Sequence, residues 1–229
     1  MFFETWELFE KNNLNSISFY NAFLNRHYIS ERELLDNNEE CIIKICVFLR
    51  GMNINFLIDV LDESYISEIK AEDIIQFSSF KAGLEDVPLV LEKEDRDLSF
   101  DEVGLLLLGN REAGALKKYG ENHSKLAEFF SLVKLSDDRL TKVKLTSLGL
   151  FFTKLDFRFK TKILRILALR NPLIKNLIIK AKFGIANYNN ETSCLSTSTQ
   201  IRRRSNVKTI VEFILKDSDY EDFLNNIVW

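Results

Sequence analysis

Three arginines stand side by side in STSTQIRRRSNVK (196–208). The guanidinium group suits phosphate and guanine because its donors form a planar fork. On a helix Arg202, Arg203 and Arg204 fan through about 200° of arc. With Ile201 and Val207 turned to the core, at least two of the three are expected to point outward. Asn206 and Lys208 extend the same polar surface. Contact with duplex DNA is the chemistry this arrangement favours. Pairing with acids of the N-terminal half or of a partner, and plain solvation of a helix start, are the alternatives.

A second cluster joins Lys117, Lys118, Tyr119, Asn122, His123 and Lys125 in KKYGENHSK. If residues 122–133 are the second helix of a helix-turn-helix, its first turn meets base edges in the major groove. Asn122 can then pair with adenine, and the lysines can hold phosphate or guanine. The helix dipole adds attraction for phosphate at that end. The plainer alternative makes Asn122 a helix cap and His123 a solvent-facing residue. No nucleophile sits beside His123 in sequence, so it is not assigned as a catalytic base.

Carboxylates raise the question of catalysis. Glu68-Ile69-Lys70, with Asp59 or Asp62 upstream, has the residue types of a magnesium-dependent nuclease. In such enzymes the acids gather around the ion and the lysine stands near the attacking water. That motif belongs on paired strands, whereas ISEIKAEDII reads as a helix. A Gly-rich phosphate loop, a Gly-x-Ser-x-Gly elbow and a supported Ser-His-Asp pattern are all missing. Cys41 and Cys46 lie in an apolar run, and the chain has two histidines, too few ligands at too wide a spacing for zinc. They read as buried free thiols. No catalytic residue, metal or cofactor is expected; the enzyme alternative is the small subunit of a restriction endonuclease.

The formal charge of −3 hides a division. Residues 1–100 carry 9 Lys and Arg against 20 Asp and Glu, and residues 101–229 carry 22 against 14. Within 111–216 the ratio is 22 to 8. Such asymmetry suggests a polyanionic partner for the basic part. No stretch approaches the roughly 20 apolar residues of a membrane span. Glu4, Glu7 and Glu10 occupy the place where a secretion signal carries positive charge, so a cytoplasmic protein is expected.

These residues need elements to hold them. Nineteen Phe with only eight Gly and two Pro point to a well-filled, mainly α-helical chain. A domain boundary is expected in LEDVPLVLEKEDRDLS (84–99), which carries Pro88 and a dense charged run. Before it, Trp6 and Phe9, then Phe19, Ala22 and Phe23, repeat at helical spacing. Residues 38–53 read as a helix or a buried strand, and 65–77 as a helix.

After the boundary, Ser99 and Glu102 form a capping box for a helix ending near Gly109. Gly120 is expected to interrupt the next helix, with Asn122 capping another that buries Leu126, Phe129, Phe130 and Val133. Leu140 to Leu145 alternates like a strand, with Lys142 and Lys144 as further DNA contacts, and Thr146 caps the following helix. Pro172 should break the amphipathic stretch 157–182 near Asn171. Ser198 or Thr199 caps the last long helix, whose stripe is Ile201, Val207, Ile210, Val211 and Ile214.

EAGALKKYGENHSKLAEFFSLV, VKLTSLGLFF and LSTSTQIRRRSNVKTIVEFIL resemble winged-helix modules of proteins that accompany bacterial restriction-modification systems. The likeness covers about residues 98–215 and does not extend to 1–97. It implies DNA binding in a restriction or phage-defence setting and brings no catalytic residue.

The expected fold is mainly α: a winged helix-turn-helix with additional helices and a small β-wing over 98–229. An N-terminal helical or α+β domain over 1–97 would serve dimerisation, partner docking or regulation, or form a second winged helix. The expected function is sequence-specific duplex DNA binding without catalysis. A restriction nuclease or methyltransferase partner and a homodimer are compatible with it. A pure protein-interaction module is the third alternative.

Overall fold

The computed structural model describes residues 21, 23–25, 49, 51–137 and 141–229. The expectations for 1–20 and for 26–48, Cys41 and Cys46 included, lie outside the described residues. The chain is mainly helical. From Ile54 onward the described elements are α1 (Ile54–Asp59), two 3-10 turns (Glu63–Tyr65 and Ala71–Asp73) and a π-helical turn (Ala82–Asp86) running into α2 (Val87–Glu94). Then come β1 (Leu98–Ser99), α3 (Phe100–Leu108), α4 (Ala113–Phe129), β2 (Val133–Leu135) and β3 (Lys142–Leu145). The rest is α5 (Ser147–Thr153), α6 (Phe157–Ala168), α7 (Pro172–Phe183), β4 (Ala186–Asn187), α8 (Tyr188–Glu191), α9 (Thr197–Leu215), a 3-10 helix (Glu221–Asn226) and β5 (Ile227–Val228). Among the described residues no helix is long and apolar enough to cross a membrane.

The chain divides into two units, and the division does not follow a cut at residue 97. Gln76–Lys160 belongs to one, and Phe48–Ile75 with Thr161–Trp229 to the other. The charged stretch 84–99 is a helix and strand inside the first unit, where Leu84, Val87 and Leu91 are buried. Pro88 follows directly on the π-helical turn, inside a helical run that continues from Ala82 to Glu94, with the Val87 N–H reaching back to Ala82 O.

In the unit containing Gln76–Lys160, β1, β3 and β2 form an antiparallel sheet in that order. Val133, Val143, Leu126, Phe130 and Leu148 supply its core. The capping box at the start of α3 is present: Ser99 Oγ accepts from the Glu102 N–H at 3.3 Å, and Glu102 Oε2 accepts from the Ser99 N–H at 2.7 Å. Gly109 ends that helix at a positive φ of 69°.

The interruption expected at Gly120 does not occur. The helix α4 runs unbroken from Ala113 to Phe129, so Asn122 lies inside it and caps nothing. Gly120 is instead a point of close approach. A Cβ there would lie 1.9 Å from the Phe100 carbonyl oxygen, and one at Gly104 would lie 2.0 Å from that of Leu116. The two glycines let the backbones of α3 and α4 touch. Gly149 does the same against Leu132 O, at 1.9 Å, and Thr146 Oγ1 caps α5 by accepting from the Gly149 N–H at 2.9 Å.

In the other unit, α6 and α7 are separated at Asn171, which caps α7, with Pro172 at its start. Residues 65–77 do not form the expected helix. Apart from the Ala71–Asp73 turn they are irregular, because side chains from α7 and α9 take up their carbonyls. Asn176 Nδ2 donates to Ser67 O at 2.8 Å while its Oδ1 accepts from the Ser67 N–H at 3.1 Å, an amide-to-peptide pair. Asn171 Nδ2 donates to Asp73 O at 3.0 Å. Lys182 Nζ donates to Ile58 O, Asp59 O and Leu61 O at 3.2, 2.7 and 2.9 Å, placing an ammonium on the negative end of α1.

Candidate nucleic-acid interface

Folding redistributes the charge seen along the sequence. Residues 76–160 hold 14 Lys and Arg against 14 Asp and Glu, because the acidic stretch 81–102 belongs to the same unit as the cations of 111–160. Residues 51–75 and 161–229 together hold 12 against 12. Neither unit is a cation overall in these segments. Any positive surface must therefore be local.

Around α4 exposed cations gather, interleaved with the carboxylates of Glu112, Glu121 and Glu128. At 100° per residue, Gly114, Lys118, Glu121, Lys125 and Glu128 fall on one ridge, with Lys117 and Asn122 on its flanks. Lys117, Lys118 and Lys125 are exposed, and Arg111 is exposed just ahead of the helix. Glu121 receives both neighbouring ammonium groups, Lys125 at 2.7 Å and Lys118 at 3.0 Å. The hydrogen bond from Lys125, helped by Lys118 and outweighing burial, holds the Glu121 carboxyl below its ordinary range.

The β2–β3 hairpin adds a second cationic surface. Lys134 pairs with Lys144 across the strands, and Lys142 lies two residues from Lys144, so all three share one face. Val133 and Val143 face the core on the other side. Like charges directly opposite each other are unfavourable in a hairpin unless neighbouring acids offset them. Lys142 Nζ lies 3.9 Å from Glu102 Oε2. Glu128 joins helix to hairpin: its Oε1 accepts from the Leu135 N–H at 3.0 Å.

His123 is the clear correction among the expected contacts. It is 0% exposed. Its Nε2 accepts from the Ser79 N–H at 3.1 Å and lies 3.3 Å from Ser78 Oγ. The proton therefore sits on Nδ1, which donates to Tyr119 O at 2.8 Å. Burial pushes the imidazole pKa down, outweighing that bond. His123 is a core hydrogen-bonding residue that no nucleic acid reaches. Tyr119 is half-buried with its ring against His123, centroids 3.9 Å apart.

The arginine triplet also divides. Arg202 is exposed, but Arg203 and Arg204 are half-buried. Arg203 Nη1 donates to Ala71 O at 3.2 Å and to Ile74 O, so it closes the end of the 71–73 turn. Arg204 lies over the Tyr188 ring, 6.0 Å from its centre, and reaches Asn189 Oδ1 at 3.4 Å. The expectation that two of the three face outward gives way to one. Ile201, expected in the core, is 61% exposed, while Val207, Ile210, Val211 and Ile214 are buried as the periodicity implies. The cap of α9 is Ser196, ahead of the two residues expected, and its side chain makes no capping bond. Asn206 is half-buried, and Lys208 is exposed with Nζ 3.8 Å from Glu212.

Asp59, Asp62 and Glu68 do not assemble a metal site. Among the described residues no group of three or more His, Cys, Asp or Glu is placed to share an ion. Asp62 caps the turn at Glu63–Tyr65, and Asp59 accepts from the Tyr220 hydroxyl. Glu68 and Lys70 are exposed on irregular chain. Cys194 is exposed and unbridged.

Two residues of the α4 and hairpin surface went unnoticed in sequence. Lys134 was detectable from the register of VKL against KVKL, and Glu121 from its spacing of three and four to lysines on the same ridge. No protein-family model matches this chain, and no curated protein or solved structure matches it.

Proposed function

We propose that the unit containing residues 76–160 binds duplex DNA as a winged helix-turn-helix. In this account α3 and α4 are the helix-turn-helix, α4 enters the major groove, and the β2–β3 hairpin is the wing. The resemblance of its sequence blocks to modules of restriction-modification proteins makes that setting the proposed biological context, with a nuclease or methyltransferase as the partner.

One observation carries the proposal. The order helix, strand, helix, helix, strand, strand, with the sheet ordered β1-β3-β2, brings the outward ridge of α4 and the lysine face of the hairpin into one unit. Lysines on both surfaces suit the phosphates flanking a groove, where each neutralised phosphate releases counterions. The balanced charge of residues 76–160 leaves this patch as a local attraction and not a general affinity for polyanions. Arg202, with Lys208, is the remaining candidate phosphate contact of the other unit. Arg203 is withdrawn from that role, and Arg204 has its guanidinium committed to Tyr188 and Asn189.

Selection of bound duplexes from a random pool, followed by anisotropy titration of the selected and a scrambled duplex, tests the proposal. Enrichment of a defined site with tighter binding than the scrambled duplex is expected. Failure to bind either duplex at low ionic strength would remove the proposal.

A further inference from the structure

Within the ridge of α4, a carboxylate stands between two cations. Lys118, Glu121 and Lys125 follow one another at three and four residues, and Glu121 is bonded to both. The lysine side chains are 62% and 53% exposed, whereas that of Glu121 is 24% exposed and lies beneath them. The two lysines are about 10 Å apart along the axis, enough for phosphates on either side of a point of base contact. On a surface meant only to attract phosphate, an acid at this place is a liability. It cancels the field of two lysines and repels any backbone that comes close.

We propose that Glu121 is a specificity-determining residue of the DNA site, accepting a hydrogen bond from the exocyclic amine of a cytosine in the major groove. This rests on the duplex-binding role proposed for the same unit. In the free protein the carboxylate ties up Lys118 and Lys125. On a duplex, both lysines turn to phosphates and leave the carboxylate needing a donor. Cytosine presents its N4 amine in the major groove, and Glu is a fitting acceptor for it. A base pair without that donor leaves the carboxylate buried and unpartnered, which costs affinity. Glu121 thus lowers binding to every duplex and restores it at one base.

The test compares wild type with Glu121→Gln on the duplex selected by the wild-type chain, on the same duplex with single base-pair changes, and on a scrambled duplex. For wild type, one C·G pair is expected whose replacement by T·A weakens binding about tenfold, within the range of a single base contact. In Glu121→Gln that discrimination falls to less than threefold, and binding to the scrambled duplex tightens several-fold. Unchanged discrimination at every position, with or without a uniform change of affinity, would overturn the proposal and leave Glu121 as an ion-pair partner alone. Absence of duplex binding by wild type would overturn the underlying role and this inference with it.

Discussion

Glu128 Oε1 accepts a hydrogen bond from the Leu135 backbone N–H at 3.0 Å, tying the last turn of α4 to the first strand of the hairpin. Burial raises the pKa of this carboxyl, only partly opposed by that bond and by Lys125 and Lys134. Burial thus makes the charge costlier to keep than in water, whereas the acceptor oxygen is used directly by the hairpin. Glu128→Gln keeps an acceptor and is expected to preserve the melting temperature at pH 7. Glu128→Ala leaves a half-buried N–H without a partner and should cost about 1–2 kcal/mol. Thermal melts of both variants check this; equal losses would contradict it.

Gly120→Ala reverses the ordinary rule of helix propensity. Alanine is favoured over glycine in a helix interior by about 1 kcal/mol, yet the new methyl would meet the Phe100 carbonyl oxygen at 1.9 Å. Separating α3 from α4 should destabilise the unit by about 1–3 kcal/mol, the usual range for overpacking. Gly114→Ala, where nothing lies within 4 Å of the added carbon, should be neutral or stabilising. Chemical denaturation of the pair measures the contrast.

The neutral, buried His123 makes stability depend on pH in one direction. Its folded pKa lies below the ordinary 6.5, so the unfolded chain binds the proton first as pH falls. The stability it contributes is present above about pH 6.5 and is lost as pH falls towards the lowered value. Protonating Nε2 also breaks the bond from the Ser79 N–H. Urea midpoints should fall more steeply from pH 7 to 5 in wild type than in His123→Gln. Parallel curves would contradict the assignment.

Much of the local architecture was legible because its signals are short-range. Ser99 with Glu102, Thr146 with Gly149, and Pro172 after Asn171 each act within a few residues. What was not legible depends on partners far along the chain. Gly120 looked like a break because its counterpart, Gly104, sits on another helix. The helix expected over 65–77 is absent because Asn171, Asn176 and Arg203, more than ninety residues away, satisfy its carbonyls. Arg203 looked like a free cation for the same reason. The charge division between the halves of the sequence was real but misleading, since the fold returns acids 81–102 to the cations of 111–160.

Replacing two of the three arginines singly separates structure from binding. Arg203→Ala removes donors to the Ala71 and Ile74 carbonyls and should lower stability by about 1–3 kcal/mol, as for bonds to a charged group. Arg202→Ala should leave the melting temperature nearly unchanged, since Arg202 is exposed at the surface of α9. Scanning calorimetry of both settles the assignment; equal losses would contradict it.

If the exposed lysines of α4 bind DNA phosphate, as proposed, duplex affinity must depend on salt through them. For wild type the logarithm of the binding constant should fall linearly with the logarithm of salt concentration. In the double variant Lys117→Ala, Lys118→Ala the slope should shrink by about one unit for each phosphate that the variant no longer neutralises. A slope identical to wild type, or no binding at low salt, would contradict the account.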